Sequence, residues 1–148
     1  MRKMITASAA LLATLEVSAI NFDDYRTLLA TNSCINCDLT NADLSGIDLK
    51  VADLTGTDFT GSDMTDVVLN KAILTNAILN YTVVTGGDFS EANLNGASLA
   101  GANLQRTNFL RAKLDGADFS YSNLQEATLI AASAIDTNFN HSVLSEAH

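Results

Sequence analysis

Large apolar residues recur every five positions from Leu39 to Leu144. Stepping in fives from Leu39 passes through twenty-two residues, of which fourteen are Leu and five are Phe; Met64, Val84 and Ala134 complete the set. A second register, two residues before each of these centres, is small. Twenty of its twenty-two members are Ala, Ser, Thr, Cys or Gly, the exceptions being Ile47 and Val67. A period of five fits neither the 3.6 of a helix nor the 2 of a flat strand. It predicts a stacked coil in which each unit buries its share of one continuous core. One large and one small inward side chain per unit imply a narrow interior with no room for a ligand.

The glycines mark where the chain turns. Seven of the eight (Gly46, Gly56, Gly61, Gly86, Gly96, Gly101 and Gly116) fall two residues after a centre, a phase shared by Asn41 and Asn76. Positive φ at the third residue of a type II turn explains that choice. Each unit is therefore one short extended side and one corner. Where Val51, Tyr81, Arg106, Arg111 or Tyr121 holds this place, another turn type is expected, because larger side chains resist positive φ.

Two stretches precede the repeat. In residues 1–19, Arg2 and Lys3 open a mostly apolar run from Met4 to Leu15, and Val17, Ser18 and Ala19 end it with a cleavable small-residue pattern. This predicts a signal peptide and hence export, with an amphipathic helix packed on the domain as the alternative. The run is too short for a membrane span of about 20 residues, and nothing later in the chain would anchor it. Residues 20–33 are expected to form a capping helix. Asn21 suits its N-cap, Asp23 and Asp24 suit its positive end, and Phe22, Tyr25, Leu28 and Leu29 share one stripe. A solenoid needs such a cover, since a bare end exposes apolar groups and unpaired backbone.

Cys34 and Cys37 then begin the repeat as CINC, in phase with its large and small inward positions. An even count with export favours a disulfide. A thioredoxin-like motif would need a βαβ context, a c-type haem would need His where Asp38 stands, and zinc would need two more ligands near the pair. No cofactor or metal is expected. The chain of 148 residues suits one domain, and its net charge of −9 argues against binding nucleic acid phosphates. No nucleophile–base pair or phosphate-binding glycine loop appears, so catalysis finds no support.

Units such as Ala52-Asp53-Leu54-Thr55-Gly56 and Gly101-Ala102-Asn103-Leu104-Gln105 make the chain from Cys37 to Glu146 resemble the pentapeptide-repeat family, whose motif is A(D/N)LXX. Departures occur at Val84, Ala134 and Gly87. The resemblance implies an all-β fold, a right-handed quadrilateral β-helix with four units per coil. Residues 34–146 would make about five and a half coils, with residues 147–148 as a tail.

Four units per coil place residues twenty apart in columns, which directs attention to the outer surface. Asp38, Asp43, Asp48, Asp53, Asp58 and Asp63 ring the first coil and a half, where bonding to nearby backbone is the expected role. The same phase then turns aliphatic for one coil at Val68, Ile73, Ile78 and Val83. This belt is a candidate interaction surface, though β-propensity alone favours the same residues. Tyr81, Gly101, Tyr121 and His141 form a second candidate column, with Tyr81 and Tyr121 beside a flat patch. Ile130, Ile135, Val143 and Leu144 near the open last coil suggest a homodimer through that end. The expected function is a non-enzymatic exported scaffold for an unknown protein partner, with no nucleic acid and no membrane contact. Signal-bearing members with a Cys pair resemble those of photosynthetic bacteria, which implies the periplasm or thylakoid lumen. The alternative is the DNA-mimicking, topoisomerase-binding branch of the family, tied to quinolone resistance.

Overall fold

A computed structural model describes residues 20–148, so the expected leader at 1–19 lies outside the described residues. From Ser33 onward the chain is a four-cornered solenoid. Nineteen parallel bridges, from Ser33 with Asp53 to Asn123 with Val143, each join residues twenty apart, which fixes four five-residue units per coil. One unit shows the bonding of the inner coils. Leu54 N–H donates to Ile73 C=O in the next coil at 2.8 Å, Ile73 N–H donates back to Ala52 C=O at 2.8 Å, and Gly56 N–H reaches Thr75 C=O at 3.0 Å. Within the corner, Thr57 N–H donates to Leu54 C=O at 3.1 Å. Backbone groups are thus paired along the rod axis, and the side-chain pattern has only to fill the interior.

The interior is filled as the five-residue beat requires. Every centre from Leu39 to Leu124 is buried, as are Ala42, Ala52, Ala72, Ala77 and most other small positions. Opposite walls meet across it. Phe109 packs against Phe89 in its own column with centroids 5.3 Å apart and planes tilted by 35°, and meets Phe119 of the facing wall edge-on at 5.7 Å; Phe119 in turn stacks on Phe139 at 5.2 Å. Small-position hydroxyls turn back on the chain, Thr82 to Leu79 C=O at 2.7 Å and Ser122 to Phe119 C=O at 2.7 Å.

The corners differ from expectation. Val51, Tyr81, Arg106, Arg111 and Tyr121 have φ of 60°, 58°, 57°, 56° and 59°, the same left-handed conformation as the glycine corners. The inter-coil ladder imposes one corner geometry on every unit and overrides the residue's preference. The cost falls hardest on Val51, whose branched side chain fits left-handed backbone poorly. Replacing this exposed valine with Asn, which tolerates that region, should raise stability by about 1 kcal/mol. A urea midpoint below that of the wild type would count against this account.

The N-terminal end is closed by helix α1, Phe22–Thr31, capped by Asn21 and ended by left-handed Asn32. Its side chains replace the missing preceding coil. Asp24 Oδ2 accepts Asp38 N–H at 2.8 Å, the Tyr25 hydroxyl donates to Asp43 C=O at 3.2 Å, and the Asn32 amide donates to Lys50 C=O at 2.9 Å. Burial, and secondarily the Asp43 carboxylate, raises the Tyr25 phenol above its ordinary pKa, so it remains a donor at neutral pH. Of the expected apolar stripe, Leu28 is buried and Tyr25 half-buried, while Phe22 and Leu29 remain exposed. The helix lies over the coil on a narrower face than the stripe suggested. Cys34 and Cys37 form a disulfide with both side chains buried, directly beneath it.

Candidate functional site

The outer surface carries most of the variation from coil to coil, and the Asp row accounts for its first part. Each of the six carboxylates accepts the N–H two residues on, from Asp38 with Thr40 at 3.1 Å to Asp63 with Thr65 at 2.9 Å. Several also accept the neighbouring hydroxyl, as Asp58 does from Thr60 at 2.6 Å. The row therefore stiffens the passage from side to corner, while its second carboxylate oxygens still give that part of the rod a negative surface. Farther along, Asp115 accepts Ser133 Oγ at 2.6 Å and Ile135 N–H at 2.9 Å. These bonds hold its carboxyl below the ordinary range, so the small stability they add is present above the unfolded carboxylate pKa and fades as pH falls through the lowered one.

The aliphatic belt divides in two. Ile73 and Val83 are each 42% exposed, whereas Val68 and Ile78 are half-buried between their neighbours. Parallel bridges tie the belt to the coil before, as Asp58 with Ile78 and Asp63 with Val83, and to the coil after, as Val68 with Asp88. Four branched side chains thus cover one coil between polar coils. Tyr81 stands at the corner between Ile78 and Val83 and is 71% exposed; Tyr121, two coils on, is 69% exposed. The structure brings these last four residues onto one edge and places Val68 and Ile73 on the other sides of the rod.

The aromatic column is ordered by its own packing. A Cβ on Gly101 would lie 2.7 Å from Cδ1 and Cε1 of Tyr81, so the Tyr81 ring rests where a larger residue would stand. Tyr121 stacks on His141 with ring centroids 4.8 Å apart and planes 17° apart. On the opposite corner, Lys71 Nζ lies 3.7 Å from Glu91, with both side chains largely in solvent. Such a pair contributes little.

At the C-terminal end the core opens. Leu129 and Phe139 are only half-buried, Ala134 is exposed, and Leu144, Val143, Ile130 and Ile135 are exposed apolar groups. No described residue does for this end what α1 does for the other. Among the described residues, no helix is long and apolar enough to cross a membrane, and no group of three or more His, Cys, Asp or Glu is placed to hold a metal ion.

A solenoid of this kind offers side-chain surfaces and backbone ends for contact. The pentapeptide-repeat family model matches eight copies over residues 33–70, 60–96, 85–120 and 122–148, and the chain belongs to that family. The fold is similar to that of Rfr23, a pentapeptide repeat protein of the cyanobacterium Cyanothece 51142. The TM-score is 0.56 at 24% identity, covering 82% of this chain and 97% of that one. It is also similar to QnrB1, a plasmid-mediated fluoroquinolone resistance protein, with a TM-score of 0.58 at 22% identity over 78% of this chain and 63% of that one. No protein of curated function matches the sequence.

Proposed function

We propose that this chain is an exported, non-enzymatic rod, coiled in the right-handed sense of its family resemblance, that holds a protein partner against its side. The observation that carries the reading is the belt at Val68, Ile73, Ile78 and Val83. Polar outward residues would serve the solenoid equally well there, yet a whole coil is aliphatic and half of that coil's row stays open to solvent. Exposed apolar groups suit contact with another protein, and Val83, with Tyr81 beside it, is the part of the belt that stands open on one edge. The leader pattern at 1–19 supports export, to the periplasm or thylakoid lumen, and an oxidising compartment suits the Cys34–Cys37 disulfide. The open last coil supports association of two copies through Leu144 and its neighbours.

One set of experiments tests these statements together. Full-length protein carrying a C-terminal tag should appear in the exported fraction without Met1 to Ala19. Its captured partner should be lost in Ile73→Asp/Ile78→Asp, and Leu144→Lys should shift the sedimenting species from dimer to monomer. Cytoplasmic material that retains Met1 would overturn export and favour the DNA-mimicking reading, which the net charge of −9 also suits. Unchanged capture by the double variant would remove the belt, and a wild-type monomer would remove the dimer.

A further inference from the structure

Helix α1 is held on the first coil by few groups. It has 10 residues, a length at which an isolated helix is marginal in water. Leu28 is its one fully buried side chain. The bonds of Asp24 to Asp38 N–H, Tyr25 to Asp43 C=O and Asn32 to Lys50 C=O all lie open to solvent. Such a segment opens more readily than the structure it covers. The coil beneath has its own support, since Leu39 N–H donates to Asp58 C=O at 2.8 Å and Leu44 N–H to Asp63 C=O at 2.7 Å. The ladder therefore persists when the helix lifts.

The Cys34–Cys37 bridge stands at the junction of these two parts. Cys34 Sγ lies 3.3 Å from Asp24 C=O, under the first turn of the helix. Cys37 is anchored in the ladder, where its C=O accepts Asp58 N–H at 2.9 Å. The link from helix to anchor is short, and the bridge joins residues three apart within it. Without the bridge, α1 and this link can peel away together. Cys34 N–H then leaves Asp53 C=O, and Asn36 N–H leaves Thr55 C=O, each now bonded at 2.8 Å. Chain entropy for so small a closed loop opposes that peeling by about twentyfold.

We propose that Cys34–Cys37 is a redox latch: two-electron reduction by a dithiol releases α1 and bares the strand edge of the first coil. The dithiol's thiolate attacks the Cys37 sulfur, the less covered of the two at 9% exposed against 2%. Cys34 leaves as a thiolate and takes up the proton that the dithiol has lost. The second thiol of the dithiol then attacks its own sulfur in the mixed disulfide, and Cys37 leaves and is protonated in turn. The chain gains two thiols, and the dithiol becomes a cyclic disulfide. Reduction gives Cys34 a proton to donate to Asp24 C=O, but a thiol is a weak donor and does not tie the link down. The bared edge offers the Asp43 and Lys50 carbonyls and the Asp38 N–H, the groups that the helix now answers. An oxidising compartment keeps the latch shut. The latch does not depend on the aliphatic belt or on a partner there.

Hydrogen exchange of the full chain, followed by NMR with and without dithiothreitol, tests the latch. Reduction should speed exchange at the Cys34, Asn36 and Asp38 amides by about twentyfold. The amides of Phe89 and Leu99, bonded in the middle of the ladder, should keep their rates. Cys34→Ser/Cys37→Ser should exchange like the reduced wild type and ignore dithiothreitol. Leu28→Ala weakens the cap but leaves both sulfurs in place. It should make reduction itself several-fold faster, because the buried bridge is reached only when the helix lifts. Unchanged exchange in protein whose two thiols have been shown free by labelling would overturn the latch, since the cap would then hold without the bridge. Equal loss of protection at Phe89 and Leu99 would overturn it as well, because the bridge would then brace the whole rod. A bridge that dithiothreitol leaves intact, or reduces no faster in Leu28→Ala, would mark a fixed staple.

Discussion

Truncation of Phe109 to alanine is expected to cost about 3–5 kcal/mol, the largest loss from any single change in this core. Phe109 is fully buried and touches both an aromatic in its own column, Phe89 at 5.3 Å, and one on the facing wall, Phe119 at 5.7 Å; Phe119 is placed likewise, but its column neighbour Phe139 is only half-buried. The wall behind it is a hydrogen-bonded ladder. Phe109 N–H donates to Thr128 C=O at 2.7 Å, so the backbone has little freedom to collapse into the space left by the ring. Equilibrium urea unfolding, read by far-UV circular dichroism, would measure the loss. A destabilisation below about 1.5 kcal/mol would mean that the coil relaxes around the cavity, and the rigid-ladder argument would fail.

Gly87→Val should be nearly as damaging, at about 3 kcal/mol, but by overfilling rather than emptying the interior. Gly87 stands where almost every other unit has Ala or a hydroxyl residue, and its φ is not positive, so the backbone itself would accept a side chain. The obstacle is space. A Cβ there would meet Val84 Cγ1 at 2.9 Å, Val84 C=O at 3.2 Å and Phe89 Cε2 at 3.3 Å. The two departures from the repeat at Val84 and Gly87 are therefore one compensated change. A branched centre pushes a methyl group into the small position, and glycine makes room for it. Gly87→Ala should be milder, and a double-mutant cycle with Val84→Ala should show coupling of about 0.5–3 kcal/mol. Additive effects of the pair would show that the two sites are independent.

Much of the architecture was legible because the repeat states it many times. The large and small registers predicted the inward residues, and every centre from Leu39 to Leu124 is buried. The capping role of residues 20–33 could be placed, yet its chemistry could not. That Asp24, Tyr25 and Asn32 answer the open backbone groups of Asp38, Asp43 and Lys50 depends on how the helix crosses the first coil. The corner expectation failed for the same kind of reason. A local preference against positive φ at Val51 or Tyr81 is worth about 1–2 kcal/mol, and three inter-coil hydrogen bonds per unit hold the corner against it.

The candidate surfaces show the same division. The column of Tyr81, Gly101 and Tyr121 followed from counting in twenties, and the belt from counting in fives along one coil. Counting could not tell that Val68 and Ile78 sink between their neighbours while Ile73 and Val83 stay open. Nor could it tell that the Tyr81 ring lies down on Gly101 while Tyr121 pairs with His141. Those outcomes depend on the tilt of each side chain against the coil above it.

The sequence by itself determined the stacked coil and its inward residues, because a five-residue period with one large and one small place is satisfied by a narrow stack; that four units make a coil came from the family resemblance and is seen in the bridges between residues twenty apart. Tertiary structure alone decided the uniform left-handed corners, the bonds that close the N-terminal end, the pairing of Val84 with Gly87, and which outward residues remain available. Apart from the fit of Val84 to Gly87, which lies within one corner, each of these depends on contacts between residues about twenty positions apart or between the helix and the first coil, where geometry in three dimensions outweighs what any residue prefers along the chain.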